Sequence, residues 1–401
     1  MPVEQGIATQ IKRVKQTGLG VPGSVGSKLI RRVSLTLNKQ AETYSSNEIA
    51  SHQQSTGATE GPYQVAGALN GELSAGTYDL EFAALLRKNF AATAAITALT
   101  VTIAGAGPTY TISRASGWLV DGVKLFDVIR LSVGALNAAN SAKNLMIVGL
   151  TATVATVIPL NGVALAAEGP ITGCTVTVIG KKSWAPTTGH TNDYFSWEKL
   201  FTTLTRSELF TDVKPASADI TVPATGIPSV NFAMAGLARS STASEVLTAP
   251  TAETTSQVLG AVQGRIVING VITAVTGFQL KLDGATSTGE AEVGAATLSD
   301  LQRGRISVSG SFSAKFSDVA LQVIRDNQSV VALCVALADS GLAAAEFLTF
   351  AMPAIKIFTD DADDGEKQIV RSYNFTAQWF GAGGAALASH ATTLSIQDSL
   401  A

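Results

Sequence analysis

Between Arg305 and Phe316 the chain changes character at every residue. Ile306, Val308, Gly310, Phe312, Ala314 and Phe316 fall on one side of an extended backbone, and Ser307, Ser309, Ser311, Ser313 and Lys315 on the other. Successive side chains of a strand point to opposite faces, so a period of two dictates a sheet with one packed face and one wet face. The alternation recurs in Val33, Leu35, Leu37 against Ser34, Thr36, Asn38, and in Phe278, Leu280, Leu282 against Gln279, Lys281, Asp283. It appears again in Tyr373, Phe375, Ala377, Trp379 against Asn374, Thr376, Gln378. One-sided alternation of this kind belongs to antiparallel sheets.

Two segments break the period. Tyr78, Phe82, Leu85 and Leu86 share a helical face in a stretch running to about Lys88, with Thr77 as N-cap. Ser317-Asp318 opens a second, weaker helix to about Asp326, carrying Val319, Val323 and Ile324. From 100 to 180 the texture is different: Thr100–Ile103, Tyr110–Ile112, Val128–Leu131, Leu145–Val148, Thr153–Ile158 and Val176–Ile179 are short strand-like runs between Gly, Asn, Ala and Pro turns. That spacing predicts a small barrel or sandwich inserted in the main sheet, whose pattern resumes at Tyr194–Trp197. The expected organisation is a mainly β (α+β) antiparallel sandwich or barrel over 29–99 and 181–401, with one or two packing helices and an inserted β-barrel at 100–180.

Charge enters through its distribution. Of 28 Lys and Arg, six (Lys12, Arg13, Lys15, Lys28, Arg31, Arg32) lie in the first 32 residues; of 31 Asp and Glu, only Glu4 does. The rest of the chain therefore carries 22 basic against 30 acidic residues, which argues against tight phosphate binding. Residues 1–28, with Gly18, Gly20, Pro22, Gly23 and Gly26, read as a flexible basic arm that orders on assembly. Only 15% of residues are charged while 46% are hydrophobic, so much of the surface is Ser, Thr, Gly, Ala, Asn and Gln. Such a surface desolvates readily and suits contact between subunits; a β protein with a mild Ser/Thr face fits the same composition.

The search for chemistry returns little. Gly18 to Lys28 lacks the spacing of a phosphate loop and follows no strand. Asp360-Asp361-Ala362-Asp363-Asp364-Gly365-Glu366 puts Ala362 and Arg371 where a calcium loop requires oxygen ligands, and reads instead as a solvated hairpin loop. His52, His190 and His390 have no His or Cys at zinc-ligand spacing. Cys174 and Cys334 sit in apolar runs and read as buried free thiols. Asn374-Phe375-Thr376 matches a glycosylation acceptor without a secretory context, since Met-Pro-Val-Glu-Gln opens no signal sequence and no apolar run is of membrane-spanning length. No catalytic residue, metal or cofactor is expected.

Taken in order, Leu29-Ile30-Arg31-Arg32-Val33-Ser34-Leu35-Thr36-Leu37-Asn38, Glu42-Thr43-Tyr44-Ser45-Ser46-Asn47-Glu48-Ile49 and Val65-Ala66-Gly67-Ala68-Leu69-Asn70-Gly71-Glu72-Leu73-Ser74-Ala75-Gly76-Thr77-Tyr78 resemble the tail tube protein family of long non-contractile-tailed bacteriophages. The likeness extends to Pro353–Ile357 and Tyr373–Trp379. The resemblance implies hexameric rings whose sheets join into an inner β-barrel, stacked into a tube in the virion tail and assembled in the host bacterial cytoplasm. Its implied partners are copies of itself, the tape-measure protein, and tail terminator and tail-tip proteins, with double-stranded DNA passing through unbound. It implies too that a long loop, here about Lys39 to Tyr63 with Tyr44, Asn47, Glu48 and Ile49, reaches the neighbouring ring. The bland Phe380 to Ala388 stretch departs from the family and reads as a mobile hairpin tip. The alternatives are another virion β protein, such as a tail-tip or capsid-decoration subunit, and a carbohydrate-binding sandwich or hydrolase, for which no aromatic platform or carboxylate pair stands out.

Overall fold

The structure, a computed structural model, describes residues 3–49, 51–362, 366 and 368–401. Strands occupy 49% of the chain and helices 5%, so the fold is mainly β and its two α-helices are accessories. Six strands form the wall around which the rest is built. In spatial order they are Ala58–Glu72, Ser229–Gly236, Arg206–Pro223, Val275–Asp283, Ser307–Lys315 and Val370–Ala377, each antiparallel to its neighbour. Their packing face carries Leu69, Phe232, Ile220, Leu280, Phe312 and Phe375, all buried, the last three as the alternation predicts. Opposite them lies a second layer of Gly260–Ile268, Val331–Ala338, Phe347–Ile357 and Ser395–Asp398, contributing Leu333, Val335, Leu348, Phe350 and Met352 to the same core.

Helix α1 (Asp79–Leu86) closes this core, burying Phe82, Leu85 and Leu86. Phe82 bridges the layers, with ring centroids 5.2 Å from Phe232 and 5.7 Å from Phe350. Thr77 is not its cap: the N-cap is Tyr78, and the Thr77 hydroxyl is spent on Ser74 and Thr254 at 2.6 and 2.7 Å. Helix α2 (Ala320–Asp326) forms where expected, with Asp318 Oδ1 accepting from Ala320 N, but buries no residue.

The six strand-like runs are the six strands of a closed barrel spanning Ile96–Val178, with its own core of Val101, Ile103, Ile112, Trp118, Leu131 and Val176. A second apolar cluster seats it: Phe126, Met146 and Ile158 from the barrel meet Val267, Cys334 and Phe347 of the body. Polar contacts lock the seat. Lys182 Nζ lies 2.7 Å from Asp127 Oδ2 with both side chains buried, and Lys124 Nζ donates to the carbonyls of Gly384, Ala385 and Leu387 at 2.6–2.8 Å. The Phe380–Ala388 stretch is therefore held at this seat and is not a free hairpin tip. Beside it His390 stacks on Trp184 at 3.9 Å; burial, then Lys182, Lys124 and Lys88, push its imidazole down to about 2, so it stays neutral.

The N-terminal basic stretch corrects expectation further. Residues Thr9–Lys15 are a strand paired along its length with Phe195–Phe201, and Gly20 and Gly23 are tied by their N–H groups to Asp212 and Ser196. Lys12 and Arg13 are 1% and 2% exposed. A buried charge must bring a counter-charge. Lys12 finds Glu245 and Glu198, and Arg13 finds Glu81 on α1. Burial holds the Glu81 carboxyl above its ordinary value, with Arg13 offsetting only part of the rise. Val33 and Trp379, expected to pack, are 69% and 61% exposed, because both lie just outside the strands, which begin at Ser34 and stop at Ala377. Of the acidic loop, Arg371 binds both oxygens of Asp360 at 2.7–2.8 Å, while Asp363, Asp364 and Gly365 lie outside the described residues.

Two stability predictions follow from these buried charges. Arg13→Ala strands Glu81 in the core and is expected to cost about 3–5 kcal/mol in chemical denaturation, whereas Arg13→Met with Glu81→Leu recovers most of the loss; a cost under about 1 kcal/mol for the single variant would contradict the role given to the pair. Asp398 is lifted to about 6, chiefly by burial, against the pull of the Leu400 and Gly76 N–H groups it accepts. A carboxyl raised on folding stabilises fully below its unfolded value near pH ~4, and that contribution is lost as pH rises through about 6. Asp398→Asn should therefore flatten the fall in stability across this window, on the order of 2–3 kcal/mol in urea titrations at pH 4 and 7; superimposable pH profiles would refute it.

Candidate assembly surfaces

The wet side of the six-stranded wall is a grid set by register. One row runs Asn70, Asn231, Asp219, Lys281, Ser309, Thr376, each directly opposite the next. The adjacent row runs Glu72, Ser229, Thr221, Gln279, Ser311, Asn374. Hydroxyls and amides dominate, and the charges are few: Glu72, Asp219 and Asp283 against Lys281 and Lys315. The face is concave, with a trough of about 540 Å³ over Asp219, Lys281, Ser309 and Asn374. Gly310 keeps the packing side of the same strand close: a Cβ there would collide with the Phe375 ring and the Gln279 carbonyl. Among the residues lining the trough, Lys281 is the single cation.

A second surface extends from one end of this wall. Ala58–Glu72 is a 15-residue strand, and only its later part, from Val65, pairs with Ser229–Gly236. Its earlier part leaves the sheet as a two-stranded ribbon with Asn38–Ser45. The segment expected as a loop is thus a hairpin arm, projecting roughly 25 Å at about 3.4 Å per residue. Its base is braced by Tyr63 N donating to Ala296 O at 3.0 Å. Beyond the brace every described residue from Glu42 to Glu60 is exposed except half-buried Ser46. An isolated ribbon of this kind is marginal in water, and the Asn38–Ser45 strand has a partner on one edge only among the described residues.

The four residues singled out in sequence lie at the end of this arm. Tyr44, half exposed, donates its phenol to Glu42 Oε2 at 2.6 Å and lies against Gly61. That carboxylate raises the Tyr44 pKa through its hydrogen bond and charge. Asn47, Glu48 and Ile49 occupy the tip, with Glu48 N donating to Ser46 Oγ at 3.3 Å and Ile49 fully exposed. Sequence reading missed Lys39, Glu60 and Tyr63, which stiffen the ribbon: Lys39 Nζ is 3.1 Å from Glu60 Oε1 and 4.3 Å from the centre of the Tyr63 ring. Hairpin register alone brings these three together.

Among the described residues no group of three or more His, Cys, Asp or Glu is placed to hold a metal ion, and no helix is long and apolar enough to cross a membrane. Among curated proteins none matches the chain. The family model described as phage tail tube protein matches residues 6–377, which takes in the six-stranded wall, the arm and the closed barrel. The chain belongs to the phage tail tube protein family.

Proposed function

We propose that this structural tail subunit assembles into hexameric rings that stack into the virion tail tube, and that the polar face of the six-stranded wall lines the channel. The observation that carries the reading is the continuous polar grid from Asn70 to Thr376, whose only charges in that row are the facing Asp219 and Lys281, on a sheet face that holds a trough. A wall of hydroxyls and amides releases no counterions to phosphate, so double-stranded DNA slides through without adhering during ejection. Lys281 sits in that wall opposite Asp219, which keeps its charge locally balanced. The exposed edge of Asn38–Ser45 supports closure between neighbours, because a sheet in a closed ring has no edge left to aggregate. The same wet wall would face the tape-measure protein before DNA enters, with tail terminator and tail-tip proteins at the two ends of the stack. Assembly takes place in the host bacterial cytoplasm. The inserted barrel has no open edge of its own to join a neighbouring sheet and belongs on the outside of the tube.

Electron microscopy and mass photometry of the purified chain, alone and with the tape-measure protein, test this directly. Rings of six copies and stacked tubes with an open channel are expected. A strictly monomeric chain at high concentration under both conditions would overturn it.

A further inference from the structure

Lys214 breaks the rule that Lys12, Arg13 and Lys182 obey. It lies in the long strand Arg206–Pro223 and is 3% exposed, yet among the described residues it has no carboxylate within ion-pair distance. Its Nζ donates instead to Asn192 Oδ1 at 2.7 Å and Leu301 O at 3.3 Å. Burial without a counter-charge favours the neutral amine. Here burial, helped by Arg303 and Arg87 and opposed by Asp300, pushes Lys214 down to about 8. A neutral lysine amine in a buried site is a nucleophile.

Register brings an amide to that amine. Phe195 pairs with Val213, so the residues just before Phe195–Phe201 run beside Lys214 and set the Asn192 carbonyl against its Nζ. The nitrogen of the same amide, Asn192 Nδ2, donates to the Tyr194 hydroxyl at 3.2 Å. That hydroxyl donates in turn to Asp300 Oδ1 at 2.6 Å, which fixes its direction. Tyr194 is 4% exposed, and the centre of its ring lies 3.7 Å from Lys214 Nζ. Burial, and then the hydrogen bond to Asp300, raise the Tyr194 phenol to about 12, so it keeps its proton at neutral pH. Asn192 itself is exposed, which leaves a way out for a small product. An amine stands at the carbonyl end of one amide and a proton donor at its nitrogen end. Reactants held in this way need no encounter step, the largest entropic obstacle to amide exchange.

We propose that Lys214 and Asn192 condense into an amide crosslink within the subunit, with Tyr194 as the proton carrier. The Lys214 Nζ–Asn192 Cγ bond forms and the Cγ–Nδ2 bond breaks. Tyr194 gives its proton to Nδ2 and regains one from Nζ, and ammonia leaves, so no oxidant, reductant or co-reactant is needed. The new bond closes the open end of the hairpin made by Phe195–Phe201 and Arg206–Pro223. It does so where the long strand passes from its pairing with Phe195–Phe201 to its pairing with Ser229–Gly236 in the wall. The crosslink forms inside one copy, whether or not copies assemble.

Intact-mass measurement of the purified full chain under denaturing conditions tests this. The parent chain is expected to be one ammonia lighter than its sequence, and its proteolytic digest to contain a branched peptide joining the Asn192 and Lys214 segments. Asn192→Ala, at an exposed position, and Lys214→Arg are each expected at their full sequence masses. Tyr194→Phe keeps the amine and the amide but removes the proton carrier, and should slow closure on the order of a hundredfold when mass is followed after a pulse of expression. A parent chain at its full sequence mass would overturn the proposal. So would an ammonia loss that persists in Lys214→Arg, because it would mark a succinimide formed at an asparagine. Closure of Tyr194→Phe at the parent rate would overturn the proton route.

Discussion

An antiparallel sheet whose strands alternate between large apolar side chains and Ser, Thr or Asn can bury one face only. In this chain the apolar face is satisfied within the subunit, by the second layer and α1. The polar face is left to water across all six strands. Helix α1 and the second layer lie on the packed side of that division. A tube wall is the structure in which such a face has a use, since it keeps the face wet while closing the sheet edges around it. The low charge of the chain, 15% of residues, suits a subunit whose surface is covered by neighbours.

Three of the six wall strands, Val275–Asp283, Ser307–Lys315 and Val370–Ala377, were legible in the sequence because their signal is local. Val308, Phe312 and Ala314 point inward, and Ser307 and Lys315 outward, as a period of two requires. The six barrel runs were legible for the same reason, being short aliphatic stretches between turn residues. Neither the closure of that barrel nor its seat on the body is encoded locally: Lys124 is paired with carbonyls about 260 positions away. The arm residues Tyr44, Asn47, Glu48 and Ile49 were found through their ordered motif. Their arrangement at the end of a two-stranded ribbon, however, rests on register between Asn38–Ser45 and Ala58–Glu72.

The basic N-terminal stretch shows where composition misleads. Six cations and several glycines read as a solvated arm, yet Lys12 and Arg13 are among the least exposed side chains in the molecule. Their counter-charges Glu81, Glu198 and Glu245 are 68 to 233 positions away, invisible to any window scan. Apolar Ile11 and Val14 flanking these charges were the local hint, since both are buried with them. The ion pairs tie the first strand to α1, to its neighbour Phe195–Phe201 and, through Glu245, to the segment after Ala238–Thr242. In this way the orientation of the packing helix, and through Phe82 the spacing of the two layers, is fixed by charge as well as by apolar contact.

The claim that the six-stranded polar face lines the channel is tested most directly by a helical reconstruction of assembled tubes at side-chain resolution. The account predicts Asp219, Lys281, Ser309 and Thr376 on the inner surface, with the closed barrel outside and the sheet continuous from one subunit to the next. A map in which that face packs against a neighbouring subunit, or points away from the channel, would contradict it.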